Sequence, residues 1–421
     1  MKLNFIPLPA HGGENNSAFS NHIMKKLRKP ELVRSLLLLF ACSLILLPRE
    51  TPAGTVLYKG NGYAVYWMKK LLKNQARSLI NPLEHASFIF HEGVLYGGTS
   101  EGKFYALSAD SGQVIWEFQS DGSIESEPTW DEETIFFGNS EGTFYALKAD
   151  TGEVLWFFPT GGIIFSRPVI DGNHVIVFSN DNRLFSLDKF RGDVIWIKTI
   201  ETESSFNQNI FYGSSSPVIY ADKIYVGLSD GFLACLSLQG ELVWKKDLAE
   251  GVDYRDLDAV PVISGNILVI PNFGGLNTFG VNPDNGDILW KIPEGGNTGG
   301  VISKNDSVCL PLVSKNPEKG DLLKLSCLNP AHGEKNWESV NLKSIDPAQD
   351  YGWNPTSPLF LGNRSVLGLS GNGLAIINNE DGKIAGFLPL SSGVSSKPIQ
   401  GEGRDIYVIS NDGYLYKIYI M

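Results

Sequence analysis

The sequence predicts an all-β chain: an eight-bladed β-propeller of four-stranded antiparallel blades, its ring closed by an N-terminal strand that completes the last blade. Three observations predict it. Residues 100–118 and 140–158 are identical at 13 of 19 positions, so the chain contains a duplicated unit. A Gly stands four residues before a Trp in six units, and the repeat Trp residues from Trp116 onward are spaced by 40, 40, 48, 46 and 47 residues. Each unit also holds four short runs of strand-forming residues separated by Gly- and Asp-rich turns, and four strands in about 45 residues make a propeller blade.

The chain begins with a leader, residues 1–53, ahead of a propeller expected over residues 54–421. The leader carries seven Lys/Arg and three Glu, whereas the whole chain of 421 residues has a net charge of −11. A basic leader before an acidic body is the pattern of an exported protein, and the acidic body argues against nucleic-acid binding, which needs a basic face. Met24-Lys25-Lys26-Leu27-Arg28-Lys29 reads as a positive n-region, which makes Met24 the expected true start. The apolar run of 13 residues from Ser35 to Leu47 is short for a membrane span of about 20 residues and suits a signal segment. Three fates stay open. Leu39-Phe40-Ala41-Cys42 resembles a relaxed lipobox that would make this a lipoprotein acylated on Cys42. Thr51-Pro52-Ala53 offers a simple cleavage site, and the leader can also be retained as an anchor. Each places the body outside the cytoplasm, in the periplasm.

In the second unit the four strands are expected near residues 127–130, 134–138, 144–148 and 153–158. The seventh unit keeps its turn glycine, Gly382, but has Gly386 where Trp is expected. The last unit supplies three strands, near 397–399, 406–410 and 414–420, before the chain stops. Residues 63–67 resemble the missing Trp-bearing strand, and pairing them with the C-terminal three removes two exposed edges. Trp67, Trp116, Trp156, Trp196, Trp244, Trp290 and Trp337 are then expected to dock between blades as structural residues. A Trp buries roughly 150–250 Å², worth on the order of 4–6 kcal/mol at most at ~25 cal/mol/Å².

The unit at Phe144 to Trp156 resembles the pyrroloquinoline-quinone-type propeller repeat, a resemblance that covers about residues 60–421 and is specific as to fold. Dehydrogenases and non-catalytic scaffolds share that repeat. Arg255-Asp256-Leu257-Asp258-Ala259-Val260-Pro261-Val262 resembles the Arg-Asp-x-Asp-x-x-Pro-Val segment of the BamB family, the propeller lipoproteins of the outer-membrane β-barrel assembly machinery. The resemblance implies an interblade loop that contacts the machinery's central barrel protein through Arg255, Asp256 and Asp258. The family's other contact loop corresponds here to Asn209-Ile210-Phe211-Tyr212-Gly213 before Ser215-Ser216-Pro217. Tyr212 stands where the family carries a basic residue, so Phe211 and Tyr212 are expected either to pack aromatically or to meet a different partner.

Chemistry is sparse elsewhere. Quinoprotein dehydrogenases of this repeat class clamp their cofactor with adjacent cysteines, and Cys42, Cys235, Cys309 and Cys327 include no adjacent pair. No His-x-His or Cys-x-x-Cys spacing suggests a metal. Cys309 and Cys327 are expected on neighbouring strands as two free buried thiols, although a disulfide is feasible outside the cytoplasm. The expectation is a monomeric, protein-binding scaffold of the cell envelope with no cofactor, metal or catalytic set. The alternatives are a quinone-dependent dehydrogenase and a propeller docking an unrelated envelope protein.

Overall fold

The computed structural model describes residues 55–73, 87–201, 215–252, 255, 257–303, 305–318, 320–345, 355–390 and 392–421. Cys42 and the leader, Phe211, Tyr212 and Asp256 lie outside the described residues.

Eight antiparallel sheets form the blades. In blade two, Thr129–Asp131, Thr134–Gly138, Thr143–Lys148 and Val154–Pro159 pair in that order. The two middle strands are buried on both faces, with Phe136, Phe137, Phe144 and Leu147 inaccessible to solvent. Burial on both faces explains why they read as unbroken apolar runs and not as alternating ones. The innermost strand starts at Thr129, two residues later than its composition suggests. Pro128 has no N–H to give, and the Ser126 hydroxyl takes over the pairing by donating to the Gly138 carbonyl at 2.8 Å and accepting its N–H at 3.0 Å. Blade five behaves likewise: its first strand is Val262–Ser264, after Pro261.

Each outer strand carries a bulge, just before its Trp or, in blade seven, before Gly386. Val154 faces Leu147 and Trp156 faces Ala146, so Leu155 is the extra residue. Trp156 Nε1 donates to the Lys189 carbonyl of blade three at 3.0 Å. Its ring lies so close to Gly192 that an added Cβ would come within 2.6 Å. Gly192 also has φ of 73°, so glycine is required there on two counts. Trp67, Trp116, Trp196, Trp244 and Trp290 repeat the arrangement, donating to Ala109, Ala149, Leu238, Pro283 and Pro330.

Trp337 departs from the expected pattern. It packs with Leu367, Ala375 and Phe387 of blade seven, but its indole N–H meets no acceptor among the described residues. Gly382 meets the backbone of Glu338 instead, and Val340 N–H donates to the Gly382 carbonyl at 2.9 Å.

The ring closes as the sequence indicates. Tyr63–Lys70 pairs with Tyr414–Ile420, completing blade eight. Between blades seven and eight, Gly386 takes the Trp position, and the Asn61 carbonyl lies where its Cβ would be. A backbone turn thus replaces an indole. Tyr58–Gly60 adds a fifth strand to the outer edge of blade eight, pairing Tyr58 with Val65.

The expectation of two free thiols in blade six is corrected. Cys309 and Cys327 face each other directly across Val308–Ser314 and Leu322–Leu328, with Cα atoms 3.9 Å apart, and form a disulfide. Cys235 is free and buried, and burial pushes its thiol up to about 11.

Candidate partner-binding rim

Connections from the outer strand of one blade to the inner strand of the next share a rim with the hairpins joining each blade's middle strands. The segment from Leu248 to Pro261 is such a connection, between blades four and five. It crosses the Gly227–Gly231 turn of blade four. A Cβ on Gly231, whose φ is 85°, would meet the Arg255 carbonyl at 2.5 Å, and one on Gly227 would meet the Leu257 carbonyl at 2.3 Å. Leu257 N–H donates to the Leu228 carbonyl at 3.3 Å, and the Leu257 side chain is 1% exposed. Leu257 is therefore the peg that seats the segment.

Arg255 is the clamp. Its Nη2 meets the Asp247 carboxylate at 2.7 Å, Nη1 donates to the Ala249 carbonyl at 2.9 Å, and Nε donates to the Asp230 carbonyl at 2.9 Å. Lys245 meets the buried Asp230 carboxylate at 3.4 Å, donates to the Glu201 carbonyl at 2.7 Å, and sits 4.1 Å over the Phe232 ring. A planar guanidinium with three internal partners fixes a loop, whereas a lysine could not fill all three directions. Arg255 thus pairs with Asp247, outside its own motif. Asp258 is half-buried beside Leu257.

The same rim carries a second polar node, which the sequence alone did not reveal. Asp121, in the connection from blade one to blade two, accepts from the Thr143 hydroxyl at 2.8 Å, the Tyr145 hydroxyl at 2.9 Å and the Asn139 amide. Burial pushes its carboxyl up, but the hydrogen bonds from Thr143, Tyr145 and Asn139 outweigh it and leave it below the ordinary carboxylate range. Tyr145 moves the other way, raised first by burial and then by Asp121.

Nearer the axis, residues leading into the innermost strands approach one another. Glu127 of blade two lies 3.6 Å from Arg167 of blade three and 3.8 Å from Lys397 of blade eight. Arg167 N–H donates to the Ser216 hydroxyl and Lys397 N–H to the Ser87 hydroxyl, both at 2.9 Å. Each occupies the middle of a Ser-x-Pro step, or its counterpart, so aligning the repeats could have exposed this ring.

A quinone clamp does not fit these residues. The one disulfide among the described residues joins opposite strands instead of adjacent positions. Among the described residues, no group of three or more His, Cys, Asp or Glu gathers closely enough to hold a metal ion.

Eight repeat blades, indole latches and a loop-built rim define a propeller of the quinone-type repeat class. Within that class, the chain belongs to the family described as outer membrane protein assembly factor BamB, whose family model matches residues 64–156 and 100–339. The BamB of Legionella pneumophila (strain Paris) is 29% identical over 216 residues, which is 50% of this chain and 51% of that protein. The match thus spans about half the length of this curated relative. The crystal structure of BamB from Moraxella catarrhalis has a TM-score of 0.66 at 18% identity, covering 85% of this chain and 100% of that one. The quinohemoprotein alcohol dehydrogenase of Comamonas testosteroni has a TM-score of 0.63 at 13% identity, covering 85% of this chain and 76% of that one. At such identities the likeness shows the fold alone.

Proposed function

We propose that this chain is a non-catalytic, protein-binding scaffold of the cell envelope that serves outer-membrane protein assembly. On this reading the body works outside the cytoplasm, held at a membrane by acylated Cys42 or a retained leader, or freed by cleavage near Ala53. The observation that carries the reading is the use of Arg255. Its guanidinium is consumed internally by Asp247 and two carbonyls, and the segment also carries the carboxylates of Asp256 and Asp258. Two carboxylates in one short segment favour a cationic partner, most simply an arginine fork. The central barrel protein of the assembly machinery is the partner proposed, with Phe211 and Tyr212 as a second contact. A buried disulfide supports the compartment, because such bridges persist where the environment oxidises.

The test is a double variant, Asp256→Asn with Asp258→Asn, measured for melting and for crosslinked capture from the native envelope on one preparation. Capture is expected to be lost while stability changes by no more than ~1 kcal/mol, because Asp→Asn conserves the side chain's size and polarity. Capture by the unaltered chain should weaken as salt rises. Normal melting with undiminished capture removes this rim from the binding site. Dye reduction after addition of quinone and calcium would overturn the non-catalytic reading.

A further inference from the structure

The outer edges of the blades differ in how they are protected. A strand at a sheet edge presents unpaired backbone groups, and natural proteins blunt such edges with charges, bulges or covering segments. Here the outer strands of blades one, three, four, five, six and eight each contain a charged residue: Glu117, Lys198, Lys245, Lys291, Lys335 and Lys69. Only blades two and seven have outer strands without one. Blade seven's is Ile384–Pro389, and the Asn61–Gly62 turn packs directly on it at Gly386 and Ala385. Blade two's is Val154–Pro159, with sequence VLWFFP, and no strand of the described residues pairs with its outer side.

That open edge is strongly apolar. Phe157 is 63% exposed, the highest value among the large hydrophobic residues described, and Leu155 is 47% exposed. Phe190 of the adjoining blade-three turn is 57% exposed, and it follows Lys189, whose carbonyl holds Trp156. Three large apolar side chains therefore flank one uncharged strand edge.

We propose that the outer edge of blade two, Val154–Pro159, is a docking site for an extended, uncharged, apolar segment of another protein, added as a fifth antiparallel strand. Three observations select that occupant. The chain itself adds a fifth strand, Tyr58–Gly60, to the equivalent edge of blade eight, so the blade geometry accepts one. The edge has no charge with which to recognise a charged partner. The strand is six residues long and ends at Pro159, whereas a stable dimer needs roughly 20–30 residues a side, so a second copy gains too little. Backbone pairing supplies the affinity, and Leu155, Phe157 and Phe190 favour apolar side chains. The site is separate from the Arg255 rim and does not rest on the role proposed for it.

The experiment titrates the full chain with an uncharged fluorescent peptide of about twelve residues, alternating Val and Thr with both ends capped. A matched peptide carries backbone N-methyl groups on one edge. The native chain is expected to bind the first peptide and to bind the methylated one at least about tenfold more weakly. Leu155→Lys with Phe157→Lys should weaken binding by at least about tenfold, with the melting temperature retained because both side chains are exposed. Phe157→Ser serves as a milder variant should the double change impair folding, and it should weaken binding in the same direction. The Asp256→Asn, Asp258→Asn variant should bind the peptide normally, which separates the two sites. The proposal is overturned by absence of peptide binding, by equal binding of the methylated peptide, or by unchanged binding to the blade-two variants. It is equally overturned if the native chain elutes as a dimer that the blade-two variants dissolve, since a second copy would then own the edge.

Discussion

Six joints of the ring are held one way and the two joints of blade seven another. From blade eight round to blade six, an indole enters the groove, donates to a carbonyl of the next blade and covers a left-handed glycine, as Trp156 does with Lys189 and Gly192. Blade seven has no such latch on either side. Among the described residues Trp337 packs without a hydrogen bond, and at the other joint Gly386 accommodates the Asn61 turn. A docked indole adds buried apolar area and a satisfied N–H, whereas a backbone turn adds close contact but little apolar area. The difference teaches that the ring is closed by the N-terminal segment and the C-terminal sheet together, with blade seven as the sector least firmly held.

The largest effect should come from removing that closure. Deletion of residues 54–68 takes away Tyr58–Gly60 and much of Tyr63–Lys70, exposing the edge of Tyr414–Ile420. Aggregation or loss of monomeric elution is expected. A deletion that still melts and elutes as the full chain does would contradict the closed ring.

Next, Trp156→Ala should destabilise by ~3–5 kcal/mol, as large-to-small core changes do, and Trp337→Ala by roughly half as much or less because no N–H bond is lost. Denaturant melts of the two variants check the ranking, and equal losses would erase the distinction between the joints. Hydrogen exchange reads the same contrast without mutation. Amides of Ile384–Pro389 should exchange at least about tenfold faster than those of Val154–Pro159 that are hydrogen-bonded inward, since local opening follows weak packing.

The smallest effect concerns Asp121. Its carboxyl is held below the ordinary 3.8 by Thr143, Tyr145 and Asn139, against the opposing pull of burial. A depressed carboxylate stabilises the fold above its unfolded pKa and loses that contribution as pH falls through the folded one. Asp121→Asn should therefore lower stability near neutral pH and flatten its decline below about pH 4. An acid-side profile parallel to that of the native chain would contradict this role.

The Trp period and the Gly four residues before it carried the fold, because each latch needs both residues at fixed spacing. The closing strand was legible for the same reason: Trp67 brings its own latch to Ala109. The fifth strand was not, since Tyr58-Lys59-Gly60 has no strand signature and pairs only because Tyr63–Val65 is already in place. The disulfide depended on exact register, which composition leaves open within a residue or two. At the rim, the motif from Arg255 to Asp258 was visible, but the clamp was not. Asp247 and the Asp230 carbonyl reach Arg255 only after the chain doubles back over the Gly227–Gly231 turn.

The central functional claim is that the rim bearing Arg255 faces the partner. A photocrosslinking residue at Glu250, exposed in the same connection, can be compared in living cells with one at Glu380, exposed in a turn on the opposite rim. The account predicts that position 250 yields a discrete crosslink to the central barrel protein of outer-membrane assembly and that position 380 does not. Crosslinking from position 380 with none from position 250 would contradict it.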